Sequence, residues 1–118
     1  MNDKFISQKH IYMCELDGIG SEQRGVRPVL VVSNNINNQF SNVVTIVPLT
    51  SKIKNSLPVH YYLYQSKYTH LLCPISTVLC EQIRTIDKIR IGDFIEKIDM
   101  DDFNYIISTI NENFKIYK

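Results

Sequence analysis

The chain has 118 residues, of which 44% are hydrophobic and 21% charged, and its net charge is +1. That length suits one domain with its own core, so no disulfide framework is required. The near-neutral balance excludes a uniformly basic nucleic-acid coat, and any contact with RNA has to be a local patch.

Met1 to His10 is polar and without period, which predicts a flexible N-terminal extension ahead of a single domain spanning 11–118. Ile11 to Leu16 alternates as a first strand. Asp17 to Val26 is a polar loop with three glycines, Gly18, Gly20 and Gly25, and the charged residues Glu22 and Arg24. The glycines leave the backbone free to move, so this loop is expected to be a gate. Val29 to Ser33 reads as a buried second strand. Pro28 before it suits a strand's first residue, because proline has no backbone donor, and it biases Arg27 toward extended backbone. Asn34 to Asn42, with five asparagines, predicts turn chemistry.

Val43 to Leu49 is a third strand, Thr50 to Pro58 a basic linker carrying Ser51, Lys52 and Lys54, and Val59 to Tyr64 a fourth strand. Gln65 to Pro74 fits either a short strand at His70–Leu72 or a loop. Thr77 to Ile86 reads as one strand, Lys88 to Gly92 as a turn or one helical turn, and Phe94 to Ile98 as a final strand. Phe103, Ile106, Ile107, Ile110 and Phe114 then fall on one face of a helix, with Asp99 as its N-cap and Asp101 and Asp102 in the first turn. Short strands followed by one helix predict a small, strongly bent sheet or barrel.

Three cysteines without Cys-x-x-Cys spacing read as buried, reduced thiols, and the three histidines have no metal-ligand spacing. No apolar run reaches membrane-spanning length and no signal-peptide core opens the chain, so a cytoplasmic protein is expected, with no membrane contact, metal or cofactor.

Three blocks carry a resemblance. Glu22-Gln23-Arg24-Gly25-Val26-Arg27-Pro28-Val29-Leu30-Val31-Val32 with Asn34, then Val47-Pro48-Leu49-Thr50-Ser51, then Glu81-Gln82-Ile83-Arg84-Thr85-Ile86-Asp87-Lys88 resemble, in that order, the signature of the MazF/PemK family of toxin endoribonucleases. The resemblance covers about Ile11 to the C-terminus. It departs just before the first strand, where the family carries Gly-Asp and this chain has Lys9-His10.

The resemblance implies a fold that is mainly β with helices: a small SH3-like β-barrel with a C-terminal α-helix, working as a homodimer. It implies catalytic roles for Arg27 and Thr50. It also implies a toxin that cuts single-stranded RNA, or mRNA, and is held inactive by a MazE-like antitoxin. The chemistry of the residues agrees. A guanidinium fork binds two phosphate oxygens at once, and a threonine hydroxyl both donates and accepts.

Glu22 is the nearest further candidate for proton transfer or loop support, and it reads equally as a solvated loop carboxylate. RNA contacts are expected from Arg24, Ser51, Lys52, Lys54, Gln82 and Arg84. Arg84 reads equally as a structural partner of Glu81 or Asp87. His60 and His70 are expected in structural or substrate-contact roles, and Tyr61, Tyr62, Tyr64 and Tyr68 mostly in packing. The alternative function is a non-catalytic protein of the same fold, either a CcdB-like gyrase inhibitor or an RNA binder without cleavage.

Overall fold

A computed structural model describes residues 5–52 and 57–118. Among the described residues seven strands and two α-helices follow in chain order: β1 (His10–Leu16), β2 (Gly25–Val31), α1 (Asn35–Phe40), β3 (Val43–Thr50), β4 (His60–Tyr64), β5 (Ile75–Leu79), β6 (Arg84–Asp87), β7 (Ile91–Lys97) and α2 (Met100–Glu112). All pairings are antiparallel, and the sheet runs β4-β5-β3-β2-β1-β7 with β6 beside β3. The mainly β fold with a C-terminal helix is as expected. The barrel is not closed, because no pairing joins β4 to β7 among the described residues.

Alternation along the strands gives the sheet two apolar faces. Ile11, Leu30, Val47, Leu49 and Val78 face α2, which buries Phe103, Ile106 and Ile110 against them. Tyr12, Val29, Val31, Val44, Ile46, Ile86 and Ile91 form the core of the other face. Residues 29–32 are apolar without a break because β2 is a central strand, covered on both sides. Phe114 lies past the helix and is exposed, so the apolar stripe of α2 ends one turn earlier than its spacing suggests.

β3 organises the sheet. One edge pairs with β2, and the other is shared end to end by β6 and β5. The predicted strand 77–86 does follow that second edge, but a 3-10 turn at Cys80–Gln82 interrupts it. Leu49 pairs with Val78, whereas Ile46 pairs with Arg84, so three residues are extra between the two ladders. The turn takes up those three and lets one run of chain pair twice along β3.

Two further expectations change. The asparagine-rich segment holds a short helix, α1: Asn34 caps it by accepting the Asn37 N–H at 2.9 Å. Buried Asn38 donates to the Ser33 carbonyl at 2.8 Å. Asparagine serves caps and turns by the same side-chain bond, so composition alone does not separate them. The N-terminal extension, in turn, is docked from Ile6 onward. Ile6 is buried, Gln8 Nε2 donates to the Val32 carbonyl, and the Lys9 N–H donates to the Val31 carbonyl. Lys9 takes a left-handed φ of 72°.

Candidate active site

Arg27 lies in β2, which starts at Gly25, three residues before Pro28 and earlier than expected. Cys14 of β1 pairs with Arg27. On the other edge, pairing with β3 begins only at Val29, opposite Pro48. Proline thus stands where no donor to β3 is needed. Carrying that register two residues further toward the loop sets Arg27 opposite Thr50. Thr50 in turn pairs with Thr77 of β5, and Thr77 with Tyr62 of β4. A transverse row, Cys14–Arg27–Thr50–Thr77–Tyr62, therefore crosses five strands on one face. It is the same face that carries Val29, Ile46 and Ile86 lower down.

Within this row Thr50 and Thr77 are buried, whereas Arg27 is half-buried. The Thr50 Oγ1 accepts the Lys52 N–H at 3.3 Å, which leaves its own hydrogen to be donated elsewhere. The Arg27 Nε–H donates to the Arg24 carbonyl at 3.0 Å. The outer edge of the guanidinium, Nη1 and Nη2, is the fork that remains for a ligand.

The loop 17–24 folds back on itself. Gly25 has a φ of 81°, and a Cβ on Gly18 would stand 2.8 Å from the Gln23 carbonyl oxygen, so glycine is required at both places. Neighbouring elements hold the loop. The Gln23 N–H donates to Gln82 Oε1 at 2.9 Å, and Gln82 Nε2 donates to the Ser21 carbonyl at 3.3 Å. Arg84 Nη1 donates to the Asp17 carbonyl at 2.6 Å, and Arg90 pairs with the Asp17 carboxylate at 2.9 Å. The loop expected to be a gate is thus tied at several points.

These contacts sort the candidates. Arg27 and Thr50 share one face of the sheet at its loop end. Gln82 and Arg84 come to the loop, and their polar heads are engaged there; Arg84 pairs with neither Glu81 nor Asp87. Glu22, Arg24, Ser51 and Lys52 are exposed at the loop end of the sheet, and Lys54 falls outside the described residues.

Sequence reasoning missed the partner of His60. Its Nε2 meets Glu81 Oε2 at 2.9 Å, with the His60 side chain 2% exposed. His60 Nδ1 and Glu81 Oε1 are buried without a hydrogen-bond partner. The facing of β4 and the 3-10 turn brings the two together, and neither residue's neighbours in sequence announce it. His70 instead pairs with Glu96 at 3.1 Å.

Cys14 and Cys80 are buried as expected, and burial, with Glu81 alongside, pushes the Cys80 thiol up to about 12. Cys73 is only half-buried. No helix among the described residues is long and apolar enough to cross a membrane.

An open antiparallel sheet with an arginine and a threonine on one face at its loop end, backed by a C-terminal helix, defines a small mainly β protein with a polar candidate site. The profile of the PemK-like, MazF-like toxins of type II toxin–antitoxin systems matches residues 7–114, and the chain belongs to that family. It is 41% identical to endoribonuclease EndoA of Bacillus subtilis (strain 168) over 96 residues, 80% of this chain and 81% of that protein. It is 40% identical to endoribonuclease MazF of Staphylococcus saprophyticus over 85 residues, 70% of this chain and 69% of that one.

Among solved structures, MazF of Deinococcus radiodurans superposes with a TM-score of 0.78 at 23% identity, covering 93% of this chain and 96% of the other. A mycobacterial endoribonuclease in complex with its cognate antitoxin superposes with a TM-score of 0.73 at 25% identity, covering 92% and 94%.

Proposed function

We propose that the protein is the toxin of a toxin–antitoxin pair and an endoribonuclease that cuts single-stranded RNA, mRNA included. The reading is supported by the strand pairings, which put Arg27 and Thr50 on one face of the sheet and, with the β2–β3 register carried two residues past Val29, opposite each other. The two curated relatives named as endoribonucleases support it.

In the proposed reaction the ribose 2′-oxygen attacks the adjacent phosphorus and the bond to the 5′-oxygen breaks. The 2′-hydroxyl proton goes to a base, and the leaving 5′-oxygen takes one up. The products carry a 2′,3′-cyclic phosphate and a 5′-hydroxyl. The Arg27 fork binds the non-bridging oxygens and gains strength as charge builds on them. The Thr50 hydroxyl donates to the same phosphate. Arginine stays protonated, so its role is charge stabilisation, with Glu22 the candidate for proton transfer. Arg24, Ser51, Lys52 and Lys54 follow the RNA backbone on either side. No step calls on a metal or cofactor.

A mycobacterial relative solved with its cognate antitoxin supports an antitoxin partner; in the proposed complex a MazE-like segment covers this face and offers carboxylates to Arg27. The working unit is a homodimer. Exposed apolar side chains on α1, Ile36 and Phe40, and at the adjoining turn, Ile89, leave a surface for a symmetric contact. Its RNA substrate places its action in the cytoplasm.

Incubation with a long RNA, mapping of the cut sites and assignment of the end groups tests this reading. Intact RNA in the presence of pure, antitoxin-free protein would overturn it.

A further inference from the structure

We propose that Gln82 is a positioning residue for Arg27, acting through the backbone of the loop and not through RNA. The inference rests on the endoribonuclease reading for its catalytic consequence, but its structural part stands alone. Gln82 presents its amide to the loop as a neighbouring strand would. Its oxygen accepts the Gln23 N–H at 2.9 Å and its nitrogen donates to the Ser21 carbonyl at 3.3 Å, one bond on each side of Glu22. One residue past Gln23, the carbonyl of Arg24 accepts the Nε–H of Arg27 at 3.0 Å. A short chain of directed bonds therefore runs from the 3-10 turn at Cys80–Gln82 to the guanidinium.

The N-terminal base of the loop is held separately, by Arg84 on the Asp17 carbonyl and Arg90 on the Asp17 carboxylate. Gln82 holds the second half of the loop, at Ser21 and Gln23, directly before the Arg24 carbonyl. A guanidinium whose Nε–H is bonded to a fixed carbonyl can turn only about that bond, so its Nη edge faces one direction. When the carbonyl wanders, the fork wanders with it. Misplacement of a catalytic group by about 1 Å costs up to roughly a hundredfold in rate. The three extra residues that break the ladder along β3 acquire a purpose in this light: they carry Gln82 out of the sheet to reach the loop.

The test uses the full chain with Gln82→Met, which keeps the side-chain length and removes both polar contacts, and Gln82→Glu, which keeps only the acceptor. Without RNA, Gln82→Met should speed exchange of the Gln23 amide by about tenfold, the loss expected for one hydrogen bond. The Arg27 Nε–H resonance should move toward its free-arginine position in the same variant. Gln82→Glu should retain protection at Gln23.

With RNA, Gln82→Met should lower kcat about tenfold with KM within about twofold, since positioning and not binding is lost. Unchanged Gln23 exchange and an unchanged Arg27 Nε–H in a folded Gln82→Met protein would overturn the proposal. So would a raised KM at constant kcat, which marks Gln82 as a direct RNA contact. Wild-type protein inert toward RNA would sink the nuclease reading alone, because the two RNA-free measurements still decide the latch.

Discussion

The Tyr68 hydroxyl donates to the carboxylate of Asp102, and that same carboxylate takes the Tyr61 hydroxyl and the Lys67 ammonium. Asp99, one turn earlier, caps α2 by accepting the Asp102 N–H at 2.9 Å and also holds Lys67 at 2.8 Å. The first turn of the helix is thereby fastened to β4 and the segment after it. Burial pushes the Asp102 carboxyl up, but the bonds from Lys67, Tyr61 and Tyr68 outweigh it and hold the group below the usual carboxylate range. Burial and then Asp102 push the Tyr68 hydroxyl up to about 12.

Asp102→Asn should therefore lower stability by about 2 kcal/mol, since charge-assisted bonds weaken and one amide cannot accept from three donors. The pH dependence follows from the directions. Asp102 is depressed when folded, so its contribution is complete above its unfolded value, near 3.8, and fades as pH falls below that. Tyr68 is raised when folded, so its contribution is complete below about 10 and fades as pH rises through about 12. Thermal melts of wild type and Asp102→Asn across pH should converge at the acid end. A stability gap that does not narrow at all as pH falls below about 4 would rule out this linkage.

Arg27→Lys keeps the charge and loses the fork, and Thr50→Val keeps the shape and loses the hydroxyl. Cleavage should fall by roughly 10²- to 10³-fold in the first, as when a transition-state donor is removed, and by a smaller factor in the second. Both proteins should fold. Single-turnover rates close to wild type in either variant would remove that residue from the chemistry.

Because positive charge at the phosphorane comes from Arg27 in the proposed reaction, cleavage should continue in EDTA. Loss of activity in EDTA, restored by a divalent cation, would replace the proposed reaction with a metal-assisted one.

Lys9 stands at a φ of 72°, a region that costs a side chain about 1 kcal/mol or more. The conformation persists because the Lys9 N–H is bonded to the Val31 carbonyl and its carbonyl accepts the Ile98 N–H. The resemblance implies glycine at this position, and a left-handed φ is the conformation glycine takes without strain. Lys9→Gly should raise stability by about 0.5–1 kcal/mol in chemical denaturation, with activity unchanged. A lower midpoint would show that the lysine side chain contributes more than its backbone strain costs.

The proposed homodimer should appear as twice the chain mass in light scattering across micromolar concentrations, and Phe40→Asp should shift it toward monomer if α1 is in the contact. A monomer mass that does not change with concentration would refute the assembly.

Much of this architecture was legible in the residues. The strands at Ile11–Leu16, Val43–Leu49 and Val59–Tyr64 and the helix after Asp99 follow from alternation and from a 3.6-residue apolar stripe. Arg27 and Thr50 stood out through their ordered blocks, and the strand pairings put them on one face. Hidden features share one physical cause: they depend on partners far away in sequence. The 3-10 turn at Cys80 exists because two ladders along β3 are out of step by three residues. The His60–Glu81 pair exists because β4 folds over that turn. The engagement of Gln82 and Arg84 by the loop required the loop's path, which local composition does not encode. The asparagine run failed for a different reason, since its residues serve turn and helix cap alike.

β1 lies between β2, which follows it directly, and β7, which begins at Ile91. One apolar face is closed by Ile86 and Ile91, and the other by Phe103, Ile106 and Ile110. On the ribosome, Arg27 and Thr50 therefore emerge long before the segments that hold their strands in place. Contacts so distant in sequence form late and together. A nascent chain carrying both site residues is still without a site, and the cell that makes this toxin meets it only after β7 and α2 have been synthesised.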